Sequence, residues 1–489
     1  MQVNWSLQKL KSQNSMLNTR KQNIISLIKQ NINRLKKRDV INRFFHENDT
    51  RYLRFLVKPG EAILDIGCGN GLLLNELQPS KAVGIDLSPD ILASAKQVAP
   101  SCTFIEHDAE SPLPTSDKFD IVLLSDVIGL FDDIQQVLLN IKENTHSRSR
   151  IIISYYTKHW ELLIRFMEVI GLKVKQPQQN YLSTRDIHNF LSISGYEVLR
   201  SEYQQLIPFK WFGIGTFVNK FIATLPGIRR LCLRTYIVAR PIPTQPPANY
   251  SVSIVIPCRN EKGNVESAIT RLPAFCDNIE IIYVEGHSKD GTWEEIQRVK
   301  EKYSHLKIKA FQQTGKGKAN AVHLGFENAT GDIFMILDAD LTVPPEQLPK
   351  FYHAMNSHQG EFINGSRLIY PMENQAMQFL NLLANKTFSW IFSYLLSQRF
   401  TDTLCGTKVF FKKDYQSILD QRAFFGDFDP FGDFELIFGA SKLNMKVVEI
   451  PIRYQARVYG ETQISRFRHG FILLKMVLHA YRKLKVSVS

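Results

Sequence analysis

At 489 residues the chain is too long for a single hydrophobic core, and two or three domains are expected. Hydrophobic residues at 44% and charged residues at 22% exclude a disordered chain. The formal charge of +13 is unevenly placed, and six scattered cysteines (Cys68, Cys102, Cys232, Cys258, Cys276 and Cys405) form no C-x-x-C pair, which excludes a disulfide scaffold and a zinc site and suits a reducing cytosol.

Residues 1–44 read as a basic helical segment. Between Lys9 and Arg43 lie ten Lys and Arg against one acid, Asp39. The pattern fits a solvated amphipathic helix, or a segment drawn to anionic lipid or to an acidic partner. No RNA- or DNA-binding motif accompanies the charge, so nucleic acid is not an expected partner. The opening "MQVNWSLQKLKSQNS" lacks the apolar core of a signal peptide.

A first series of strands alternating with helices begins near Ala62. "AILDIGCGNG" (62–71) is an apolar strand running into a loop with Gly67, Gly69 and Gly71, where a backbone can turn tightly and approach a ligand. "VGIDLS" is a second strand ending in Asp86, an acid placed to accept hydrogen bonds from ribose hydroxyls. "TFIEHDAE" ends at Asp108, within reach of an adenine amino group, and "FDIVLLSDVIGLF" (119–131) carries Ser125 and Asp126 at its mouth. A dinucleotide-dependent oxidoreductase is the competing reading of a glycine loop. The ordered set "LDIGCGNG", "GIDLS", "HDAE" and "FDIVLLSDVI" resembles the class I S-adenosylmethionine-dependent methyltransferases over roughly residues 45–200, within a first domain of residues 45–238. The resemblance implies a Rossmann-like sheet and S-adenosylmethionine as cofactor. Asp65 and the glycine loop then hold its methionine end, Asp86 the ribose, and Asp108 with Ala109 the adenine, with Ser125 at the same site. Tyr155, Tyr156 and His159 follow the next strand, at the acceptor's place or in packing.

"LIPFKWFGIGTFVNKFIATLPGIRRLCL" (206–233) is aromatic-rich and ends in paired arginines; it covers the acceptor pocket, packs on the second half, or touches lipid. "ARPIPTQPPANY" (239–250) contains Pro241, Pro243, Pro246 and Pro247 and reads as a semi-rigid linker.

A second α/β series starts near Val252 and fills residues 251–489. "SVSIVIPCRNEKGNV" is a strand and polar loop, "IEIIYVEGHSKDGTWEEI" repeats that plan, and "IFMILDADL" ends a strand in Asp338 and Asp340. Two carboxylates one residue apart repel unless a cation lies between them. Read in order, "VIPCRNE", "GHSKDGT", "GKANAVHLGFENATGD", "LDADLTVPPE", "NGSR", "DTLCGTKVF" and "RVYGET" resemble inverting family-2 glycosyltransferases of the GT-A fold, nearest the dolichyl- and polyprenyl-phosphate sugar synthases. The resemblance implies a nucleotide-diphospho-sugar donor and a Mg²⁺ or Mn²⁺ ion on Asp338 and Asp340. Pro257, Asn260 and Glu261 shape the nucleotide pocket, Glu285 faces base or ribose, and Arg457 contacts the diphosphate, with Asp338 also on the donor. Arg367 binds an acceptor phosphate, and Asp402 or Glu435 is the catalytic acid or base. Lys316 and Lys318 border the metal loop, where a solvated role is the alternative. An arginine expected before the "AN" of "ENQAMQFLNLLAN" is replaced by Gln375 and Gln378, which admits a glycan hydroxyl acceptor beside the lipid phosphate.

"FLNLLANKTFSWIFSYLLS" (379–397) and "RFRHGFILLKMVLHAYRKLK" (466–485) read as interfacial or core helices rather than membrane spans. The expectation is therefore a bifunctional transferase of two α/β domains in surface-glycan or lipid-linked sugar synthesis, peripheral on the cytoplasmic face of a membrane. The alternative keeps the glycosyltransferase and makes the first half a non-catalytic cofactor-binding or docking module.

Overall fold

Runs rich in Ile, Val and Leu, bounded by glycine and acids, become the strands of two seven-stranded sheets. The computed structural model describes residues 19–27, 29–30, 43–170, 177–370, 379–426, 432–460 and 466–488. Much of the basic segment lies outside the described residues, as do Gln375, Gln378, Asp427 and Asp429. The chain divides into two units, Met1–Pro243 with Lys485–Ser489, and Thr244–Leu484.

In the first unit the strands are β1 (Ala62–Ile66), β2 (Lys81–Asp86), β3 (Thr103–Glu106), β4 (Phe119–Ser125), β5 (Thr145–Tyr156), β6 (Tyr196–Gln204) and β7 (Arg234–Pro241). Their order is β3-β2-β1-β4-β5-β7-β6. The first five are parallel, and β7 runs antiparallel to both its neighbours. Strand order reverses between β1 and β4, and the carboxyl ends of those two strands open a crevice suited to a ligand. The proline-rich seam begins later than its sequence suggests. β7 continues to Pro241, which pairs with Tyr196 of β6, although pairing with β5 stops at Ala239. A proline at the last position of a strand removes no ladder bond that the neighbour still needs.

In the second unit the strands are β8 (Val252–Cys258), β9 (Ile279–Glu285), β10 (Lys307–Gln312), β11 (Ile333–Ile336), β12 (Phe362–Ser366), β13 (Lys408–Phe411) and β14 (Val447–Pro451). They are ordered β10-β9-β8-β11-β13-β12-β14, with β13 antiparallel to both neighbours. Here the reversal falls between β8 and β11. The buried faces of β8, β9 and β11 pack Ile254, Ile256, Ile281, Tyr283 and Met335 into one core, which fixes the loops beyond them.

The helix Phe379–Leu396 buries Phe392, Leu395 and Leu396 and exposes Trp390, so one of its sides belongs to the core of this unit. Among the described residues no helix is long and apolar enough to cross a membrane.

Candidate active sites

The first unit has a cavity of about 350 Å³ at the carboxyl ends of β1 to β4. Gly67, Gly69, Asp86, Asp108, Ala109 and Ser125 all line it. Gly67 has φ +72°, and a Cβ there would lie 2.5 Å from Cγ2 of Val127, so only glycine lets the loop pass so close to the strand-four turn. Asp86 accepts hydrogen bonds from the Gly69 N–H (3.1 Å) and the Ser88 N–H (3.0 Å), which aim its carboxyl across the loop. Burial raises its pKa, and those backbone bonds oppose the rise.

Asp65 and Gly71 stand behind this wall. Gly71 starts the helix Leu72–Leu77 from a left-handed conformation. Asp65 is 2% exposed and its Oδ1 has no hydrogen-bond partner among the described residues. Burial, reinforced by the charge of Asp86, pushes its pKa up to about 8. An orphaned acid beside an acid-lined cavity fits a cofactor that carries an ammonium and a sulfonium. Two residues that the sequence did not single out also line the cavity. Lys21 and Ile24, from helical residues 19–27, form part of it, and the Lys21 Nζ donates to Asp108 (2.6 Å) and pairs with Glu110 (3.0 Å).

Ser125 and Asp126 also line a second cavity of about 670 Å³, walled on another side by the helix Arg43–Leu56 through Arg43, His46, Arg51 and Arg54. Beneath the junction lies Arg234, fully buried. Its Nε donates to Asp49 (3.0 Å) and its Nη2 to Ser154 Oγ (3.1 Å), its Nη1 pairs with Asp126, and its guanidinium lies 5.1 Å from the ring centre of Tyr156. No motif marks Arg234; only the antiparallel insertion of β7 brings it under the β4 turn. Tyr156 stacks on Phe45, and Tyr155 donates to Thr184 Oγ1 (3.1 Å), so both tyrosines are used in packing. His159 is exposed on the turn after β5.

The second unit has a cavity of about 260 Å³ at the carboxyl ends of β8 to β11. Pro257, Glu261, Asp338, Asp340 and Arg457 line it, joined by Lys318 and Gln313. Each carboxylate of the aspartate pair has its own cation. Lys318 Nζ lies 2.7 Å from Asp338, and Arg457 Nη2 donates to Asp340 Oδ2 at 2.6 Å. Asp340 Oδ1 is held by the Thr342 N–H (3.1 Å) and hydroxyl (2.8 Å). Burial pushes the Asp338 pKa up, but Lys318, joined by Lys408 and Arg367, holds the group below the usual carboxylate range. Lys318 opens the helix Lys318–Glu327 and also reaches Asp433 (3.5 Å). It is thus a member of the site rather than a solvated loop lysine. Lys316 is exposed. Gly406 lies so close that a Cβ on it would meet Asp338 Oδ2 at 1.9 Å and Lys318 Nζ at 2.6 Å. The hard oxygens of Asp338 and Asp340 fit a Mg²⁺ or Mn²⁺ ion that a diphosphate helps to ligate.

Glu261 accepts from Arg457 Nη1 (3.2 Å) and Asn264 Nδ2 (2.7 Å); burial carries its pKa up to about 7 against both. Asn260 and Glu285 are not in the cavity wall. Asn260, at φ 54°, accepts from the Lys289 N–H (2.9 Å) and ties two loops together. Glu285 is buried, and its carboxylate receives the Ser288 N–H and Gln312 Nε2 (3.3 Å). In that position it braces the β9 turn.

The candidate catalytic acids are committed elsewhere. Asp402 is 1% exposed and chelated by Arg367, whose Nε donates at 2.6 Å and Nη2 at 2.8 Å. The Arg367 and Leu404 N–H groups fill its remaining acceptor positions at 3.0 Å. Burial raises its pKa and Arg367 lowers it further than that, so the group is a poor base. Glu435 is paired with Arg422 and with His323 Nε2 (3.3 Å), and these hydrogen bonds outweigh burial to depress its pKa. Asp433 differs: its Oδ1 has no hydrogen-bond partner among the described residues, and burial raises its pKa despite Lys318 and Lys408.

Residues 57–194 match a family model described as a methyltransferase domain, and residues 253–424 match the model of glycosyl transferase family 2. A dolichol-phosphate mannosyltransferase of Pyrococcus furiosus is 29% identical over 241 residues, covering 48% of this chain and 64% of the relative. An undecaprenyl-phosphate 4-deoxy-4-formamido-L-arabinose transferase of Aeromonas hydrophila is 35% identical over 107 residues, covering 21% of this chain and 33% of the relative. The chain thus spans less than two thirds of the length of either. Among solved structures, a SAM-dependent methyltransferase of Thermotoga maritima, described as a possible histamine N-methyltransferase, is similar at 17% identity and TM-score 0.35, covering 44% of this chain and 99% of that one.

Two outcomes follow from these geometries. A carboxyl raised from 3.8 to about 8 contributes stability that is present in full at low pH and lost as pH climbs through about 8. Thermal melting is expected to show the fall between about pH 4 and about pH 8 shrinking by several degrees in Asp65→Asn. Gly406→Ala changes no charge, yet its methyl overlaps Asp338. Calorimetry is expected to show affinity for a nucleoside diphosphate with Mg²⁺ falling at least ~10-fold while the melting temperature moves little.

Proposed function

From a chain that joins a methyltransferase domain to a family-2 glycosyltransferase domain, we propose a bifunctional transferase. Its second unit moves a sugar from a nucleotide-diphospho-sugar to a polyprenyl phosphate, and its first unit methylates an acceptor with S-adenosylmethionine. The observation that carries the reading is the pair Asp338–Lys318 and Asp340–Arg457 around one cavity, two acids and two bases poised at a strand-order reversal.

Asp338 and Asp340 would hold a Mg²⁺ or Mn²⁺ ion, which would supply positive charge against the diphosphate leaving group. The chain's own work is to place the other charges. Arg457 and Lys318 exchange part of their pairing with the carboxylates for donor oxygens, which costs little because both states are ion-paired. Pro257 and Glu261 wall the nucleotide pocket. Arg367 offers its Nη1 edge to the acceptor phosphate while Asp402 holds Nε and Nη2, so Asp402 is a positioning residue. A phosphate dianion is already a nucleophile near neutral pH and needs no general base. The names of the relatives support this acceptor class.

One observation favours a second reading. Asp433, raised in pKa and adjacent to Lys318, is better suited than Asp402 or Glu435 to take a proton from a sugar hydroxyl.

In the first unit, Asp86 is assigned to the ribose, Asp108 to the adenine amino group, and Asp65 with the glycine loop to the methionine end. The cofactor brings an already activated methyl group, so the protein has chiefly to align the acceptor. The cavity that shares Ser125 and Asp126 is where the acceptor would enter. Both steps suit a lipid-linked or surface glycan handled at a membrane's cytoplasmic face.

The test is transfer of labelled sugar from a panel of nucleotide sugars to polyprenyl phosphate or to a glycan, with Mg²⁺ or Mn²⁺. Transfer to the lipid phosphate is expected, with Asp338→Asn plus Asp340→Asn lowering it at least ~10³-fold and Asp433→Asn leaving it within ~10-fold. Transfer only to a hydroxyl, abolished by Asp433→Asn, would establish the second reading, and no transfer from any donor would refute both.

A further inference from the structure

The first unit carries an apolar surface that its cavities do not use. Residues 206–233 contain four basic residues and no acid. Trp211 is exposed and Phe212 fully so, and Ile214, Phe217 and Phe221 are exposed in the same segment. The helix Glu161–Val169 adds Leu162 at 81% exposure and Val169 at 85%.

These side chains are held outward by a built loop. Asn219, 2% exposed, clamps the loop base by accepting the N–H groups of Leu206 and Ile207 (both 2.9 Å) and donating to the Ile207 carbonyl (2.8 Å). Trp211 and Phe212 have φ of 39° and 54°, a left-handed backbone that bulky residues rarely adopt. Trp160 Nε1 donates to the Leu231 carbonyl (2.8 Å), and the Thr157 hydroxyl donates to the Cys232 carbonyl (2.8 Å). Those bonds join the start of the helix to the end of the loop in one face. Lys210 and Arg230 are exposed within it and Lys220 is half-buried. Arg229 is turned back to Glu202 (3.6 Å).

A contiguous patch of large apolar side chains is costly in water and marks a contact surface. This surface sets exposed aromatics, Trp211, Phe212, Phe217 and Phe221, beside the exposed cations Lys210 and Arg230, with no acid in the segment. That is the composition of a segment lying in the headgroup region of a bilayer, where indole and phenyl rings enter the acyl boundary and Lys and Arg meet lipid phosphates. Topology gives its direction. β5 is parallel to β4, and β7 is antiparallel to β5 and β6. The ends of β5 and β6 and the start of β7 therefore lie at the sheet edge that carries the cofactor loops.

We propose that residues 206–233 and the helix Glu161–Val169 form the face by which this protein docks on an anionic lipid surface, bringing the open edge of the methyltransferase sheet toward the membrane. The proposal rests on the reading of a membrane-attached transferase and locates that attachment on the first unit. It also narrows the methyl acceptor to a molecule presented at a lipid surface.

The test is sedimentation of the full chain with phosphatidylcholine vesicles and with vesicles containing about a third phosphatidylglycerol. Binding is expected to the anionic vesicles, weakened by salt. Trp211→Ser with Phe212→Ser, and separately Lys210→Glu with Arg230→Glu, should each lower the partition coefficient at least ~10-fold while melting temperature and nucleoside-diphosphate binding are retained. Undiminished binding of both variants would overturn the assigned face while leaving membrane attachment in place. Failure of the unmodified chain to bind any vesicle would overturn both. A dimer in sedimentation velocity that Phe212→Ser converts to a monomer, without lipid binding, would assign the face to a second copy instead.

Discussion

The second unit depends on neutralising two carboxylates that a strand end forces together. Asp338 and Asp340 leave β11 one residue apart, and the site would be strongly repulsive without counter-charges. Lys318 comes from the start of the next helix back in sequence and Arg457 from the loop beyond β14, so three distant segments meet at one charge balance. Gly406 then closes against Asp338 with no side chain at all. A site balanced in this way is ready for a ligand that is itself anionic and brings a cation with it, because each ion pair can be exchanged for another.

The first unit solves a similar problem oppositely. Asp65 and Asp86 also gather at strand ends around a crevice, yet among the described residues no lysine or arginine is set against Asp65. Its proton affinity rises instead. One acid site carries its own cations and suits an anionic ligand; the other lacks a counter-charge at Asp65 and suits a cationic one. The same architectural rule, a crevice at the carboxyl ends where strand order reverses, thus yields two sites of opposite charge balance.

Much of this was legible in the sequence, because glycine loops and strand-end acids are local signals. Gly67, Gly69, Asp86, Asp108, Ala109 and Ser125 share one cavity, and Pro257, Glu261, Asp338, Asp340 and Arg457 share another. The misplaced expectations concern side chains whose partners are remote. Asp402 looked available as a base until Arg367, thirty-five positions earlier, proved to chelate it. Glu285 reads as a ligand-facing strand end, but its carboxylate is turned onto its own loop at Ser288. Lys318 sits in "GKANAVHLGFENATGD", where a solvated role stayed open, and Arg234 carries no motif; both acquire their partners only through helix packing and strand insertion. Pro241 misled in the other direction, since proline is tolerated where a strand is about to end.

With Lys318 and Arg457 occupying Asp338 and Asp340, we infer that the pair holds a divalent ion only together with a diphosphate. The most direct measurement is an electron paramagnetic resonance titration of Mn²⁺ into the full chain with and without a nucleoside diphosphate. Weak Mn²⁺ binding alone and at least ~10-fold tighter binding with the diphosphate are expected. Mn²⁺ binding of equal strength in both conditions would contradict it.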